Sequence, residues 1–334
     1  MIGDALVAEG LTKVFNKNLV AVDHVNFTVK EEEIFGFLGP NGAGKTTAIN
    51  MFTTLLKPTE GSAKVAGYDI EKQENKVRSI VGLVPQDLTA DEDLTGMENM
   101  ILQAKMYHVP MSVAKQRIEE VFSLLELADA ANRKVETYSG GMRKRLELAE
   151  GLIHYPKVLF LDEPTLGLDV QTRLVMWNYI RKLRNEQKIT IFLTTHYMEE
   201  ADALCDRIAI IDHGKIIALG TPQELKESLG GDVVEISLAS DQDDITEALA
   251  SLPDVKDVKH ISNHYRIKVE RGEETLPKII EKILQMKKII SRVSLTEPTL
   301  DHVYLEYTGR TIRETEASRE EAFKMSRYLR RVRH

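Results

Sequence analysis

The chain of 334 residues contains one cysteine, Cys205. That excludes an internal disulfide and any cysteine-rich metal site, and it suits a reducing compartment. Nowhere does an apolar run reach the length of about 18 residues that a membrane-spanning helix needs. Residues 1–12 lack the basic start and apolar stretch of a secretion signal. Any work at a membrane therefore requires a separate subunit to supply the span. An excess of basic charge is also absent. The net charge of −8 argues against non-specific nucleic-acid binding over the whole surface, though not against a local basic patch. Aromatic residues make up only 6% of the chain, with a single tryptophan, Trp177. It sits with Leu174, Ile180 and Leu183 at helical spacing, which reads as core.

What is present is more specific. Hydrophobic residues reach 43%, enough for one large domain and one small one. The run Gly39-Pro40-Asn41-Gly42-Ala43-Gly44-Lys45-Thr46-Thr47 fits the phosphate-binding loop G-x-x-x-x-G-K-[ST]. It follows a short apolar run, Ile34-Phe35-Gly36-Phe37-Leu38, that reads as a buried strand. It precedes a helical pattern over residues 46–56, with Ile49, Phe52 and Leu56 on one face. Strand, glycine loop and helix start together make an anion site, because backbone N–H groups and the helix dipole converge there. Lys45 is expected to reach the β- and γ-phosphates of ATP, and the Thr46 hydroxyl to hold Mg²⁺.

A second apolar strand, Val158-Leu159-Phe160-Leu161, ends in Asp162-Glu163. Beside a phosphate-binding loop, Asp162 suits the Mg²⁺ ligand of a neighbouring strand. Glu163, one residue on, suits the group that orients or deprotonates the attacking water. Between the two motifs lies Tyr138-Ser139-Gly140-Gly141-Met142-Arg143, ahead of a helical pattern. Ser139 can cap that helix, and the glycines expose backbone N–H groups, giving a second anion-binding helix start.

With these motifs in order, residues 5–225 or so resemble an ABC-type ATPase, the nucleotide-binding subunit of an ATP-binding-cassette transporter. The resemblance assigns further roles. In Leu11-Thr12-Lys13-Val14-Phe15, Phe15 matches the aromatic that stacks on adenine, the alternative being a core side chain. Gln86 matches the glutamine that touches Mg²⁺ and the attacking water. Ser139, Gly140 and Gly141 match the signature that grips ATP bound to a partner subunit. Asp169, in Gly167-Leu168-Asp169, matches the loop crossing the dimer interface. His196, after Thr190-Ile191-Phe192-Leu193, matches the switch histidine at the γ-phosphate. The commonest signature begins with Leu and ends with Gln, where this chain has Tyr138 and Met142. That variant is similar to ATPases resembling the daunorubicin-resistance exporter subunit, which work with separately encoded membrane subunits.

The resemblance implies an α/β fold: a P-loop ABC-type core over residues 1–230, with a helical subdomain over about 95–150. Within the latter, Met97, Met100, Ile101, Ala104 and Met106 form one helical stretch, and residues 118–127 another. Residues 207–219 read as a hairpin turning at His213-Gly214. Gly230-Gly231 reads as a linker. Residues 232–309 then give the order βαββαβ, a small ferredoxin-like α+β domain, with a short helix over 299–307. The exporter branch carries such a domain, ending in a segment like Glu297-Pro298-Thr299-Leu300-Asp301. Residues 310–334 are rich in Arg and carry an apolar stripe. They read as a basic helix, either solvated or touching a membrane surface or acidic partner.

The function expected from the resemblance is ATP hydrolysis, with Mg²⁺, powering an exporter of drug, lipid or polysaccharide type. The chain would pair with a second ATPase subunit, as a homodimer or heterodimer, and with a transmembrane permease. It would lie on the cytoplasmic face of the cell membrane, with no nucleic-acid partner. An importer ATPase and a soluble ABC ATPase of DNA repair or translation are the alternatives.

Overall fold

The computed structural model describes residues 3–16, 19–239, 244–261 and 264–309. The basic tail and the turn at Ser262-Asn263 lie outside the described residues. The chain divides into two compact units, the second beginning at Pro222.

The first unit holds two sheets. One is antiparallel, in the order β2-β1-β4-β5, from β1 (Asp4–Phe15), β2 (Leu19–Lys30), β4 (Glu60–Val65) and β5 (Tyr68–Asp69). The other is built around β3 (Ile34–Leu38), whose five residues are all buried. Its order is β10-β9-β3-β8-β7-β6, with β6 (Val81–Val84), β7 (Val158–Asp162), β8 (Thr190–Thr195), β9 (Arg207–Asp212) and β10 (Lys215–Gly220). All but β10 run parallel. Near-continuous apolar strands are what a parallel sheet covered on both faces requires. β9 and β10 form the expected hairpin. His213 (φ 46°) and Gly214 (φ 81°) both take the left-handed conformation, as a two-residue hairpin turn demands.

The core between the sheets is aromatic. Phe27 of β2 stacks on Phe35 of β3 at 5.2 Å. Phe192 of β8 lies 5.7 Å from Phe35 and 5.5 Å from Phe160 of β7. Phe52 belongs to helix α1 (Lys45–Phe52) and stacks on Phe160 at 6.1 Å. Helix α1 is therefore seated on the strands whose ends carry the chemistry. It stops at Phe52, short of the expected Leu56, because Thr54 turns left-handed (φ 63°) and the Thr53 hydroxyl bonds back to the Ile49 carbonyl.

Helix α2 (Glu74–Ile80) leads into β6, and three helices fill the expected helical segment: α3 (Gly96–Met106), α4 (Met111–Leu124) and α5 (Gly140–Leu152). Thr95 and Glu98 form a capping box on α3. Helix α4 ends at Leu124 rather than Leu127, because Glu126 adopts φ 53° and the Leu127 amide bonds back to Phe122 O at 2.8 Å. Helices α6 (Val170–Gln187) and α7 (Met198–Leu204) follow β7 and β8.

The second unit contains α8 (Pro222–Glu227), β11 (Asp232–Leu238), α9 (Thr246–Ala250), β12 (Val255–Ile261), β13 (His264–Val269), α10 (Gly272–Gln285), β14 (Ile290–Thr296) and α11 (Leu300–Thr308). It starts ahead of Gly230-Gly231 because α8 packs on α11. The sheet order is β12-β13-β11-β14 with every pair antiparallel, the split βαβ arrangement of a ferredoxin-like sandwich. Val234, Ile236, Tyr265 and Ile267 meet Leu249, Ile279 and Ile283 of the helices in one core. Helix α9 is short, five residues. The Asp244 carboxylate accepts from the Thr246 amide and hydroxyl, which delays the helix start.

Candidate active site

Parallel register brings the ends of β3, β8 and β7 to one edge of the sheet: Leu38 pairs with Thr195, and Asp162 with Thr194. The glycine loop leaves β3 at this edge. Its glycines are sterically required. A Cβ on Gly39 would lie 2.2 Å from the Ile211 carbonyl, and one on Gly44 (φ 109°) 2.2 Å from the Ala21 carbonyl. Gly44 is the N-cap of α1, and no side chain caps it. With no acidic residue in its first turn, that helix start is open to an external anion.

Lys45 is folded over the loop. Its Nζ donates to the carbonyls of Gly39 at 2.7 Å and Pro40 at 3.3 Å, and lies 3.0 Å from Glu163 Oε1. Both side chains are buried, at 4% and 5% exposed. Glu163 Oε2 meets His196 Nδ1 at 3.0 Å. The nucleophile-activating and phosphate-sensing candidates are thus one hydrogen-bonded triad. Burial pushes the Glu163 carboxyl up, but the His196 hydrogen bond and the Lys45 charge outweigh it and hold it below its ordinary value. The group is an ionised base at neutral pH.

Asp162 ends β7 and accepts from the Thr194 hydroxyl at 2.5 Å. Gln86 lies exposed just past β6, whose last residue Val84 pairs with Leu161, so it follows the sheet toward the same edge. Thr46, on the first turn of α1, is also exposed. Hydroxyl, carboxylate and amide oxygens form a hard donor set that fits Mg²⁺. Among the described residues no group of three or more His, Cys, Asp or Glu could hold a metal. An ion here would need nucleotide and water oxygens to complete its shell.

The remaining candidates stand apart from the triad. Ser139 caps α5, accepting from the Met142 amide at 3.3 Å. Gly140 has open space where a Cβ would be, whereas one on Gly141 would lie 2.5 Å from Thr172 Cγ2. Asp169 caps α6, taking the Thr172 amide at 3.0 Å and the Thr172 hydroxyl at 2.6 Å. The Thr172 hydroxyl bond is the main reason the Asp169 carboxyl sits below its ordinary value. Thr172 thereby links the Gly141 and Asp169 segments. Tyr138 is buried; its hydroxyl donates to Ala130 O at 2.7 Å and crowds the space beside Gly96. The variant first position of the signature is thus a packing residue. Phe15 is half-buried at the end of β1, with Lys13 5.4 Å above its ring.

Sequence reasoning missed several supporting groups. Thr194 joins the Asp162 carboxylate to the Glu163 backbone amide, and its signal was a threonine closing the apolar run of β8. Glu200 of α7, fully buried, accepts from Thr165 at 2.7 Å and from Trp177 Nε1 at 2.9 Å, so the tryptophan read as core also carries a polar bond.

Comparison with known proteins identifies the family. Residues 22–166 match the ABC transporter family, and residues 220–308 match the C-terminal domain of DrrA1-3-like ATP-binding proteins. The daunorubicin/doxorubicin resistance ATP-binding protein DrrA of Streptomyces peucetius is 38% identical over 95% of this chain and 97% of its own. The linearmycin resistance ATP-binding protein LnrL of Bacillus subtilis is 36% identical over 92% of this chain and 100% of its own. Among solved structures, an ATP-binding cassette captured as a post-hydrolysis dimer with ADP and phosphate superposes with a TM-score of 0.58. It is 26% identical and covers 65% of this chain and 98% of its own. Among the described residues, no helix is long and apolar enough to cross a membrane. The chain belongs to the ABC transporter ATP-binding subunits, ATPases by family, in the branch that carries a DrrA-like C-terminal domain.

Proposed function

We propose that Glu163 is the base that activates water for ATP hydrolysis, with Lys45 and His196 as its switch partners. The observation that carries this reading is the buried Lys45–Glu163–His196 triad. An ionised carboxylate tied to a cation is held in check. ATP phosphates entering at the α1 start would compete for Lys45, since phosphate carries more charge than the carboxylate. That competition frees Glu163 Oε1 to accept a proton from water, while His196 stays on Oε2 and orients the group. Backbone N–H groups from Gly42 to Thr47 bind the phosphates. Phe15 provides a face for adenine. Thr46, Gln86 and Asp162 would hold Mg²⁺, whose charge would offset that developing on the phosphate oxygens.

Two copies complete the site. Ser139, Gly140 and Gly141 of one subunit close over ATP held by the loop of the other, beside Asp169. The second copy is of this chain or a related one. The pair drives a separate permease, and its cargo is an amphiphilic drug-like molecule, by analogy with the resistance proteins named above. The permease places the subunit on the inner membrane face. Residues 222–309 act as an accessory domain with no part in the chemistry.

Glu163→Gln tests the central assignment. Turnover should fall by about a hundredfold or more, with ATP affinity retained because Lys45 and Asp162 remain. The variant should accumulate an ATP-bound dimer on gel filtration. Near-normal turnover removes Glu163 from its role.

A further inference from the structure

The loop after β6 is fastened to α5 by two buried charges. Lys144 Nζ donates to the Gln86 carbonyl at 2.9 Å and lies 3.0 Å from Glu147 Oε2. Glu147 Oε1 accepts the Thr89 amide at 2.8 Å. These side chains are 7% and 1% exposed, whereas Gln86 and Thr89 are themselves exposed residues. Main-chain groups of a surface loop therefore reach inward to a buried ion pair. Such a pair is costly to desolvate, and apolar side chains of similar volume often fill the same space equally well or better. What apolar side chains lack is a donor for the Gln86 carbonyl and an acceptor for the Thr89 amide.

We propose that Lys144 and Glu147 are positioning residues that clamp the Gln86 loop to α5. The loop and the Ser139-Gly140-Gly141 segment at the head of that helix then move as one body. Ser139 caps α5 roughly one and a half turns ahead of Lys144. A hydrogen-bonded helix is stiff over that distance. The first turn is itself tied down: Arg143 pairs with Glu92 and donates to the Glu136 carbonyl at 3.1 Å. The consequence rests on the roles proposed above for Gln86 and the signature. A shift of Gln86 on nucleotide binding at one site would carry the signature serving the opposite site with it.

The test uses the full-length protein with both charges replaced, Lys144→Met/Glu147→Leu. Amide exchange in the 85–90 segment should accelerate at Thr89 by about tenfold or more, since a charge-assisted bond is lost. ATPase kcat should fall by about tenfold, with ATP affinity unchanged and exchange in residues 146–152 unchanged. Wild-type exchange at Thr89, or wild-type kcat, overturns the proposal. A merely structural role would lower the melting temperature and leave both readouts in place. Should the double variant not fold, Glu147→Gln against Glu147→Met decides. Glutamine keeps an acceptor and should preserve Thr89 protection, and methionine should lose it; equal protection overturns the clamp. Gln86→Ala separates the two readings. If it turns over normally, the role of Gln86 fails, while Thr89 exchange still reports on the clamp.

Discussion

Glu150 lies one turn beyond Glu147 on α5 and is 8% exposed. Burial, and then the Glu147 charge, raise its pKa from 4.5 to about 7. An acid raised on folding keeps its proton in the folded chain after the unfolded chain has released it. Between pH 4.5 and about 7 the folded state binds more protons, so stability falls as pH rises through that window. At pH 8 both states are ionised and the full penalty applies. At 1.36 kcal/mol per pH unit, the shift amounts to about 3 kcal/mol. Glu150→Gln removes the ionisation and keeps the shape. It should stabilise the first unit at pH 8 by about 3 kcal/mol and have almost no effect at pH 4.5 or below. For a unit of this size that is a rise of roughly 6–12 °C in the melting temperature. Calorimetry of wild type and variant at pH 4.5, 6 and 8 measures the difference, and titrating groups that do not interact with Glu150 cancel in the comparison. A variant advantage independent of pH, or none at pH 8, refutes the reasoning.

Lys45→Ala should weaken ATP binding by about tenfold or more, since it removes the cation facing the phosphates; unchanged affinity in a nucleotide titration counts against the loop assignment. Ser139→Arg should abolish turnover on its own, yet regain part of it when mixed with Lys45→Ala protein, because a mixed dimer has one site free of both defects. Full activity of Ser139→Arg alone would mean that the signature does not serve a partner's nucleotide. Gly39→Ala forces a Cβ to within 2.2 Å of the Ile211 carbonyl, a backbone atom that cannot swing aside. A loss of about 1–3 kcal/mol should appear in thermal unfolding, whereas Gly140→Ala, with open space around it, should leave stability unchanged.

The elements legible in the sequence were those with a strong local code. The buried strand before the glycine loop, the left-handed His213-Gly214 turn and the alternation of β11 each declare themselves within a few residues. Helix ends were less legible, because their stops are left-handed residues such as Thr54 and Glu126 that carry no glycine signal. Of the site, the motif residues could be named, and their assembly could not. Nothing local says that Lys45 would pair with a carboxylate beyond a second strand, or that Lys144 and Glu147 would reach the loop after β6. Those contacts depend on strand order, and on β8 in particular, which follows both motif strands in sequence yet lies between them.

That placement of β8 gives one threonine control of both acids. The Thr194 hydroxyl donates to Asp162 at 2.5 Å and accepts the Glu163 amide at 3.1 Å, and the Thr194 carbonyl lies 3.2 Å from the same amide. Both hydroxyl functions are used. Glu163 has φ 50°, a left-handed conformation that costs a non-glycine residue about 1–2 kcal/mol. Two acceptors on its amide offset that strain. Without the turn, a residue following Asp162 in extended register would project to the opposite face of β7. With it, Glu163 leaves the strand direction and reaches Lys45 and His196. The adjacent acids are thereby separated into a strand-end carboxylate, proposed above as the metal ligand, and a loop carboxylate, proposed above as the base for water. Adjacency in sequence supplies the pair, and the hydrogen bonds of Thr194 set the two side chains in different directions.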